Sequence, residues 1–388
     1  MYRIQTLNNI SERGLARLPR DRFEVASSIL EPHGILVRSA DMHAMSLPAS
    51  VLAVARAGAG TNNVPVAALS KRGVPVFNAP GANANAVKEL VIAGLFLAAR
   101  NIVQAWDFAR GLAGDDKAID EATEKGKKNF VGFELPGRTL GVIGLGAIGV
   151  EVANAAERLG MRVIGYDPQL TVQRAWQLSA SVEQASSLDD LFSRSQFVSV
   201  HVPLVEATRG LVNASRLQLM PKDGVLLNFS RAPIVDDASV IAALDAGRLH
   251  AYICDFPNNA LKDHAKVVTL PHLGASTGEA EENCAVMVAD TLRDYLEHGN
   301  VRNSVNFPDA FLPRTAGAAR IAIANSNVPN MVGQISTLLA GAQINIAELL
   351  NKSRGEYAYT LIDVEGRVDD ALLARIRGIE GVLSARLL

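Results

Sequence analysis

The sequence predicts an α/β chain in which parallel sheets are covered by helices on both faces and a small α+β unit follows. Three observations point there. Short apolar strings at residues 34–37, 52–55 and 74–77 alternate with Ala/Leu-rich helical stretches, the pattern of strands buried on both faces. From Thr139 an apolar strand, a glycine-rich turn, a helix and a second strand at 162–166 run in βαβ order. Residues 319–388 read strand, helix, strand, strand, helix, strand.

A chain of 388 residues has room for two or three domains. Its 48% apolar and 20% charged residues, with 31 Gly and 16 Pro in no period, exclude disordered, collagen-like and coiled-coil classes. With 38 Lys and Arg against 40 Asp and Glu there is no basic excess, which argues against nucleic acid or an anionic membrane as partner. Cys254 and Cys284 suit neither a disulfide framework nor a zinc site; they are expected as buried thiols, and no metal is expected. The start MYRIQTLNN lacks a signal pattern, and the longest apolar run, 90–99, is short of the ~20 residues of a membrane helix, so a soluble, cytoplasmic chain is expected.

After Phe77, Asn83 or Asn85 is placed to cap a helix whose body is 90–99; this body is apolar nearly all round and is expected to be buried between layers or subunits. Residues 115–128 mix both charge signs and read as a solvated segment. Further strands are expected at 140–143, 197–200, 224–228, 251–254 and 267–270, with a helix over 150–159. The capping box Ser276 to Glu279 opens a long helix toward Gly299. Pro308, Pro313 and Gly317 mark a linker, after which a helix from Pro329 presents Val332, Ile335, Leu338 and Leu339 on one face.

The most specific local signal is Gly144-Leu-Gly146-Ala-Ile-Gly149, between the strand ending at Ile143 and the following helix. Gly144 makes the tight turn, Gly146 lets backbone approach a pyrophosphate, and Gly149 lets helix and strand pack closely. Asp167 lies 23 residues after Gly144, at the end of the second strand, where a carboxylate accepts hydrogen bonds from an adenosine ribose. An anionic Asp repels a 2′-phosphate, so NAD is favoured over NADP.

Three residues recur at later strand ends: Arg231, Asp255 and His272. Ligands of open α/β sheets bind beyond the carboxyl ends of strands, so all three are expected at the cofactor crevice. Each alone has a plainer reading: a surface ion pair, a turn former and a hydrogen-bonded structural histidine.

Together with Arg56-Ala-Gly-Ala-Gly-Thr-Asn-Asn, Asn78-Ala-Pro-Gly-Ala-Asn, His201-Val-Pro-Leu, Asn228 to Arg231, Asp255-Phe-Pro and Pro271 to Thr277, they make the chain resemble the D-isomer-specific 2-hydroxyacid dehydrogenases. The last seventy residues resemble an ACT regulatory domain. The resemblance implies two Rossmann/flavodoxin-like doubly wound domains and a ferredoxin-like βαββαβ domain. Its expected bounds are a discontinuous substrate-binding domain at 1–95 and 287–304, an NAD-binding domain at 96–286, a linker at 305–318 and the ACT domain at 319–388.

The implied reaction is oxidation of a D-2-hydroxy acid, here 3-phospho-D-glycerate (3-phosphoglycerate) to 3-phosphohydroxypyruvate, the first step of serine biosynthesis. His272 takes the hydroxyl proton as hydride leaves the same carbon for the nicotinamide, a role that suits an imidazole near neutral pH. Arg231 clamps the substrate carboxylate through its planar fork. By the same resemblance Asp255 holds the nicotinamide carboxamide, Ala147 and Ile148 lie against the pyrophosphate, and Val202, Pro203, Phe229, Ser230, Gly274 and Ala275 line the nicotinamide side, with Ala79 from the other domain. The substrate phosphate is expected at Arg38, Ser39 and Arg56, with Ala57 and Gly58 beside them. Competing readings are a glyoxylate or hydroxypyruvate reductase and a non-catalytic NAD-sensing protein.

The sequence departs from the family at two points. The Glu that usually pairs with the catalytic His is replaced, near Asn258 or Asn259, by an amide that can orient the imidazole but supplies no charge. His272 is therefore expected to lack a carboxylate partner unless Glu279, Asp263 or another acid reaches it. Ala232-Pro233 also stands where glycine is usual, which leaves room for a shifted Arg231. In the C-terminal domain Asn325, Asn327 and Asn345 are candidates to hold L-serine in a seam between two copies; a purely structural role or another effector is the alternative. A homodimer or homotetramer is expected.

Overall fold

The computed structural model describes residues 1–315 and 317–388. They form two compact units, Met1–Asn83 with Gly278–Leu388, and Ala84–Thr277.

The first unit opens with β1 (Tyr2–Leu7), β2 (Phe23–Ala26), β3 (Gly34–Val37), β4 (Ala53–Arg56) and β5 (Val76–Phe77), a parallel sheet in the order β2-β1-β3-β4-β5. β3 is apolar along its length because helices and loops cover both faces of the sheet and all four of its residues are buried. The chain returns to this unit as the helix Gly278–His298, whose Val288, Leu292 and Leu296 pack with Ile4, Leu36 and Phe77.

The second unit holds β6 (Thr139–Ile143), β7 (Arg162–Tyr166), β8 (Glu183–Gln184), β9 (Phe197–Val200), β10 (Gly224–Asn228), β11 (Leu249–Cys254) and β12 (Val267–Thr269). They lie parallel in the order β12-β11-β10-β9-β6-β7-β8. The order reverses beside β6, so the carboxyl ends of β6, β9 and β10 open at the switch point of a doubly wound sheet. The helix Ala84–Ala99 packs inside this unit through Val87, Val91 and Leu95. Burial nearly all round is expected from the sequence, but its burial within the chain is one-sided, since Phe96 stays 39% exposed. It begins at Ala84, which puts Asn85 within its first turn, hydrogen-bonded to Glu89.

The unit boundaries therefore fall at the starts of two helices, whereas the expected breaks at 95/96 and 286/287 would cut through them. The physical reason is that the buried apolar residues of each helix pack within one unit. The charged 115–128 segment contains a solvated helix, Asp116–Gly126, capped by the Asp115 carboxylate accepting from the Ala118 N–H at 2.9 Å.

The C-terminal sheet comprises β13 (Ala319–Ser326), β14 (Asn345–Arg354), β15 (Tyr357–Glu365) and β16 (Val382–Leu387), antiparallel in the order β14-β15-β13-β16. With the helices Met331–Gly341 and Asp370–Arg377 it has the expected βαββαβ order. Alternation at period 2 sends Ile321, Ile323, Ile362 and Val364 toward the two helices and Ala322, Ala324, Tyr359 and Leu361 into the core around Gly278–His298. This domain thus belongs to the first unit. Its docking centres on Arg320, fully buried and bidentate on Asp363 at 2.5 and 2.7 Å, which also donates to the carbonyls of His298, Leu312 and Pro313. The expected linker 305–318 contains residue 316, which lies outside the described residues; before it, Phe307 and Ala310 are buried core.

Among the described residues no helix is long and apolar enough to cross a membrane, and no cluster of His, Cys, Asp and Glu could hold a metal ion. Both cysteines are buried and free.

Candidate active site

In the second unit, β6 runs into the glycine turn. Gly144 has φ +89°, and a Cβ there would stand 2.7 Å from the His201 carbonyl oxygen. Gly149 is needed because a Cβ would sit 1.8 Å from the Gly144 oxygen. At Gly146, by contrast, a Cβ would meet nothing within 4 Å, so the backbone at the start of Ala147–Arg158 borders open space. Asp167 ties the turn to β7: its carboxylate accepts from the Leu145 N–H at 2.9 Å and the Gln169 N–H at 2.8 Å. Open backbone at a helix N-terminus, beside an anchored carboxylate, fits a dinucleotide pyrophosphate and its ribose.

The carboxyl ends of β9, β10, β11 and β12 bring the other residues together. Asn228, buried at the end of β10, accepts from the Ser230 N–H and donates to the Arg231 carbonyl, both at 3.1 Å. That closed turn, with the Ser230 hydroxyl donating to the Val202 carbonyl, sets where Arg231 emerges. The exposed Arg231 guanidinium donates to the Ser230 carbonyl at 2.7 Å. Ala232-Pro233 forms a short 3-10 turn, so proline in the usual glycine position is accommodated.

Asp255, 1% exposed at the end of β11, accepts from the N–H groups of Leu273 and Gly274 at 2.7 and 2.8 Å. It thereby anchors the loop carrying His272, a task the sequence did not reveal. His272 itself has φ +57°, a left-handed conformation costing about 1–3 kcal/mol in a non-glycine residue, which persists only where neighbours enforce it. Its imidazole is exposed and stands edge-on to Phe256. His201 is the opposite case: burial pushes its imidazole down to about 3, and its Nε2 pairs with the Ser199 hydroxyl, so it stays neutral and takes no part in proton exchange near neutral pH.

In the first unit, Val37 and Arg56 are register partners, so Arg38 and Arg56 emerge side by side at the ends of β3 and β4. Arg56 donates through Nε to the Arg38 carbonyl at 3.0 Å, and its guanidinium folds over Gly58, where a Cβ would lie 1.9 Å away. Ala57 is buried, and Ala79 donates to the Gly58 carbonyl at 3.0 Å. The Ser39 N–H is held by Asn8 at 3.0 Å. Arg38 also forms an ion pair with Glu281 of the Gly278–His298 helix, a contact invisible in the sequence.

Residues 102–274 match the D-isomer specific 2-hydroxyacid dehydrogenase, NAD binding domain. Over 383 residues the chain is 32% identical to the D-3-phosphoglycerate dehydrogenase of Haemophilus influenzae, covering 95% of this chain and 89% of that one. The chain belongs to the D-isomer specific 2-hydroxyacid dehydrogenases. It is also 33% identical to the D-3-phosphoglycerate dehydrogenase of Escherichia coli K12 over 342 residues, 85% of this chain and 79% of the relative. An NAD+-bound 3-phosphoglycerate dehydrogenase structure from Entamoeba histolytica shares the fold, with a TM-score of 0.59 at 24% identity over 80% of this chain and 99% of that one.

This dehydrogenase uses NAD, and the turn at Gly144 to Gly149 with Asp167 fits it. Among the described residues of the second unit no carboxylate lies at ion-pair distance from His272. Asp263 pairs with Lys262 instead. The Asn258 amide, expected as a possible orienter of the imidazole, is engaged elsewhere: its oxygen accepts from Ala260 and Leu261, and its nitrogen donates to Asp237 at 2.7 Å. Burial raises the Asp237 pKa, partly offset by that hydrogen bond from Asn258, and the neighbouring Asp236 raises it further.

The dehydrogenase's three amide candidates for an effector do not converge within one chain. Asn325 is buried, donates to the Ser326 carbonyl at 2.7 Å and leaves its side-chain oxygen without a partner. Asn327 donates to Gly355 at 3.0 Å. Asn345 pairs with Glu365 at the other end of the sheet. Asn325 is in register with Ala358 on β15, which puts the two sites roughly 23 Å apart at about 3.3 Å per residue.

Proposed function

We propose that this dehydrogenase oxidises 3-phospho-D-glycerate to 3-phosphohydroxypyruvate, the first step of serine biosynthesis. The observation that carries the substrate assignment is the pair of arginines, Arg38 and Arg56, at adjacent strand ends, since a phosphate needs clustered forked donors that an unphosphorylated hydroxy acid does not. The names of the relatives that align over nearly the whole chain support the same substrate.

Bound NAD supplies the hydride acceptor. Arg231, its backbone fixed by Asn228, offers two parallel N–H groups to the substrate carboxylate and polarises the adjacent oxygen. His272 accepts the 2-hydroxyl proton at a ring nitrogen and returns it in the reverse reaction. Asp255 keeps the base in place by holding the two residues after it, and its remaining lone pairs suit the nicotinamide carboxamide. The amides of Ala147 and Ile148 at the helix N-terminus receive the pyrophosphate, and Val202, Pro203, Phe229, Ser230, Gly274 and Ala275 complete the cofactor's surroundings within the second unit.

Residues 319–388 act as an ACT-type regulatory domain, with L-serine bound between copies of a homo-oligomer; the βαββαβ order and the unpartnered oxygen of Asn325 support this. The test is initial rates of NAD reduction with 3-phosphoglycerate, D-glycerate and D-lactate, with and without L-serine. A clear preference for the phosphorylated acid and inhibition by serine are expected. Equal rates on D-glycerate would instead favour a glyoxylate or hydroxypyruvate reductase.

A further inference from the structure

Two clefts of the first unit differ in how their charges are partnered. The larger, about 1040 Å³, runs along the polar face of Gly278–His298, and its Arg17, Arg22 and Arg293 are paired with Asp290, Glu297 and Asp290 respectively. The smaller, about 460 Å³, lies between the segments around Leu52 and Gly73 and strand β16. Arg72, Arg377 and Arg386 line it, and no carboxylate does.

These three guanidinium groups are held by neutral partners. Arg72 donates to the carbonyls of Leu47 and Pro48 at 3.1 and 2.7 Å, and Arg377 to that of Ala385 at 2.9 Å. Arg386 donates to the Tyr295 carbonyl at 2.8 Å with its guanidinium 4.3 Å above the Tyr295 ring. Carbonyls and an aromatic face fix orientation without cancelling charge, and among the described residues none of the three arginines is in an ion pair. Like charges fixed around a concave space repel one another and raise the local concentration of anions. Forked N–H donors in that number match a tetrahedral, multiply charged oxyanion.

We infer that this cleft is a binding site for a phosphate-class oxyanion, either the free ion or the phosphate group of a small metabolite. It is separate from Arg38 and Arg56 and does not rest on the proposed reaction. Because Arg72 belongs to the N-terminal part of the unit and Arg377 and Arg386 to the C-terminal domain, an occupant bridges the two and stiffens their docking.

The experiment is isothermal titration of the full-length protein with inorganic phosphate at constant ionic strength, in an Arg38→Ala/Arg56→Ala background that removes both substrate-site arginines. Binding is expected there, about tenfold weaker after Arg377→Gln and lost after Arg377→Glu; Arg377 is exposed, so both variants should keep the fold. Phosphate should also raise the melting temperature more than sodium chloride of equal ionic strength, and less in Arg377→Glu. A phosphomonoester without free phosphate distinguishes the two sources: heat from either supports the site. No heat from either, or binding unchanged by Arg377→Glu, would overturn it.

Discussion

The ring of His272 stands edge-on to that of Phe256, with centroids 5.4 Å apart and planes at 74°. An aromatic ring thus occupies the side of the imidazole, and the Asn258 amide is bound to Asp237 instead. Edge-to-face pairs are worth about 0.5–1.5 kcal/mol, or roughly 2- to 12-fold in rate if the geometry matters only for proton transfer. Phe256→Leu should lower kcat within that range with little change in the KM for NAD, and Phe256→Tyr should restore it. Steady-state kinetics on the pair of variants checks this; a KM effect without a kcat effect would argue against orientation of the base.

Asp255 gives a larger effect. Its carboxylate holds two backbone N–H groups immediately after a residue in the left-handed region, and charge-assisted bonds of this kind contribute about 1.5–3 kcal/mol each. Asp255→Ala should reduce kcat by at least about a hundredfold. Circular dichroism should show the fold retained, and Asp255→Asn, which keeps an acceptor, should fall between.

Glu281 occupies Arg38 in the absence of substrate, both side chains being 41% exposed. Exposed pairs contribute about 0.2–1 kcal/mol, so releasing the arginine should lower the KM for 3-phosphoglycerate by about 1.4- to 5-fold in Glu281→Gln. Arg38→Ala should raise it. The KM for an unphosphorylated hydroxy acid should move in neither variant.

The Arg320–Asp363 pair governs how the C-terminal domain is held. Burial by itself would raise the Asp363 pKa, but hydrogen bonds from Arg320 and Thr315 and the guanidinium charge bring it below its usual value. A depressed carboxylate contributes stability that is complete above its unfolded pKa of about 3.9 and is lost as pH falls through the lower folded value. Asp363→Asn leaves a buried cation uncompensated and should cost about 3–5 kcal/mol at neutral pH. Calorimetric melting from pH 7 to 3 should show the gap between wild type and variant narrowing only at the acid end.

The parts of this structure legible in the sequence are those that depend on local spacing. Gly144, Gly146, Gly149 and Asp167 could be assigned roles because strand, turn and helix fix their mutual positions. The βαββαβ order of residues 319–388 was readable from apolar periodicity for the same reason. What escaped depends on which distant segment a side chain meets: Glu281 on Arg38, Asp255 under the His272 loop, Arg320 on Asp363. β1 was missed because Tyr-Arg-Ile-Gln-Thr-Leu mixes polar and apolar residues and buries only Ile4 fully. Asn325 and Asn345 stand at opposite ends of the C-terminal sheet because β13 and β14 both run antiparallel to β15, a relationship set by strand pairing and not by local spacing.

The most direct test of the central claim is the specificity ratio of wild type and Arg56→Ala, as kcat/KM for 3-phosphoglycerate over kcat/KM for D-glycerate, measured by NADH formation. Wild type should favour the phosphorylated acid strongly, and Arg56→Ala should lose most of that preference while its rate on D-glycerate is nearly unchanged. Loss of both activities in equal proportion, or no NADH formation with 3-phosphoglycerate in wild type, would contradict it.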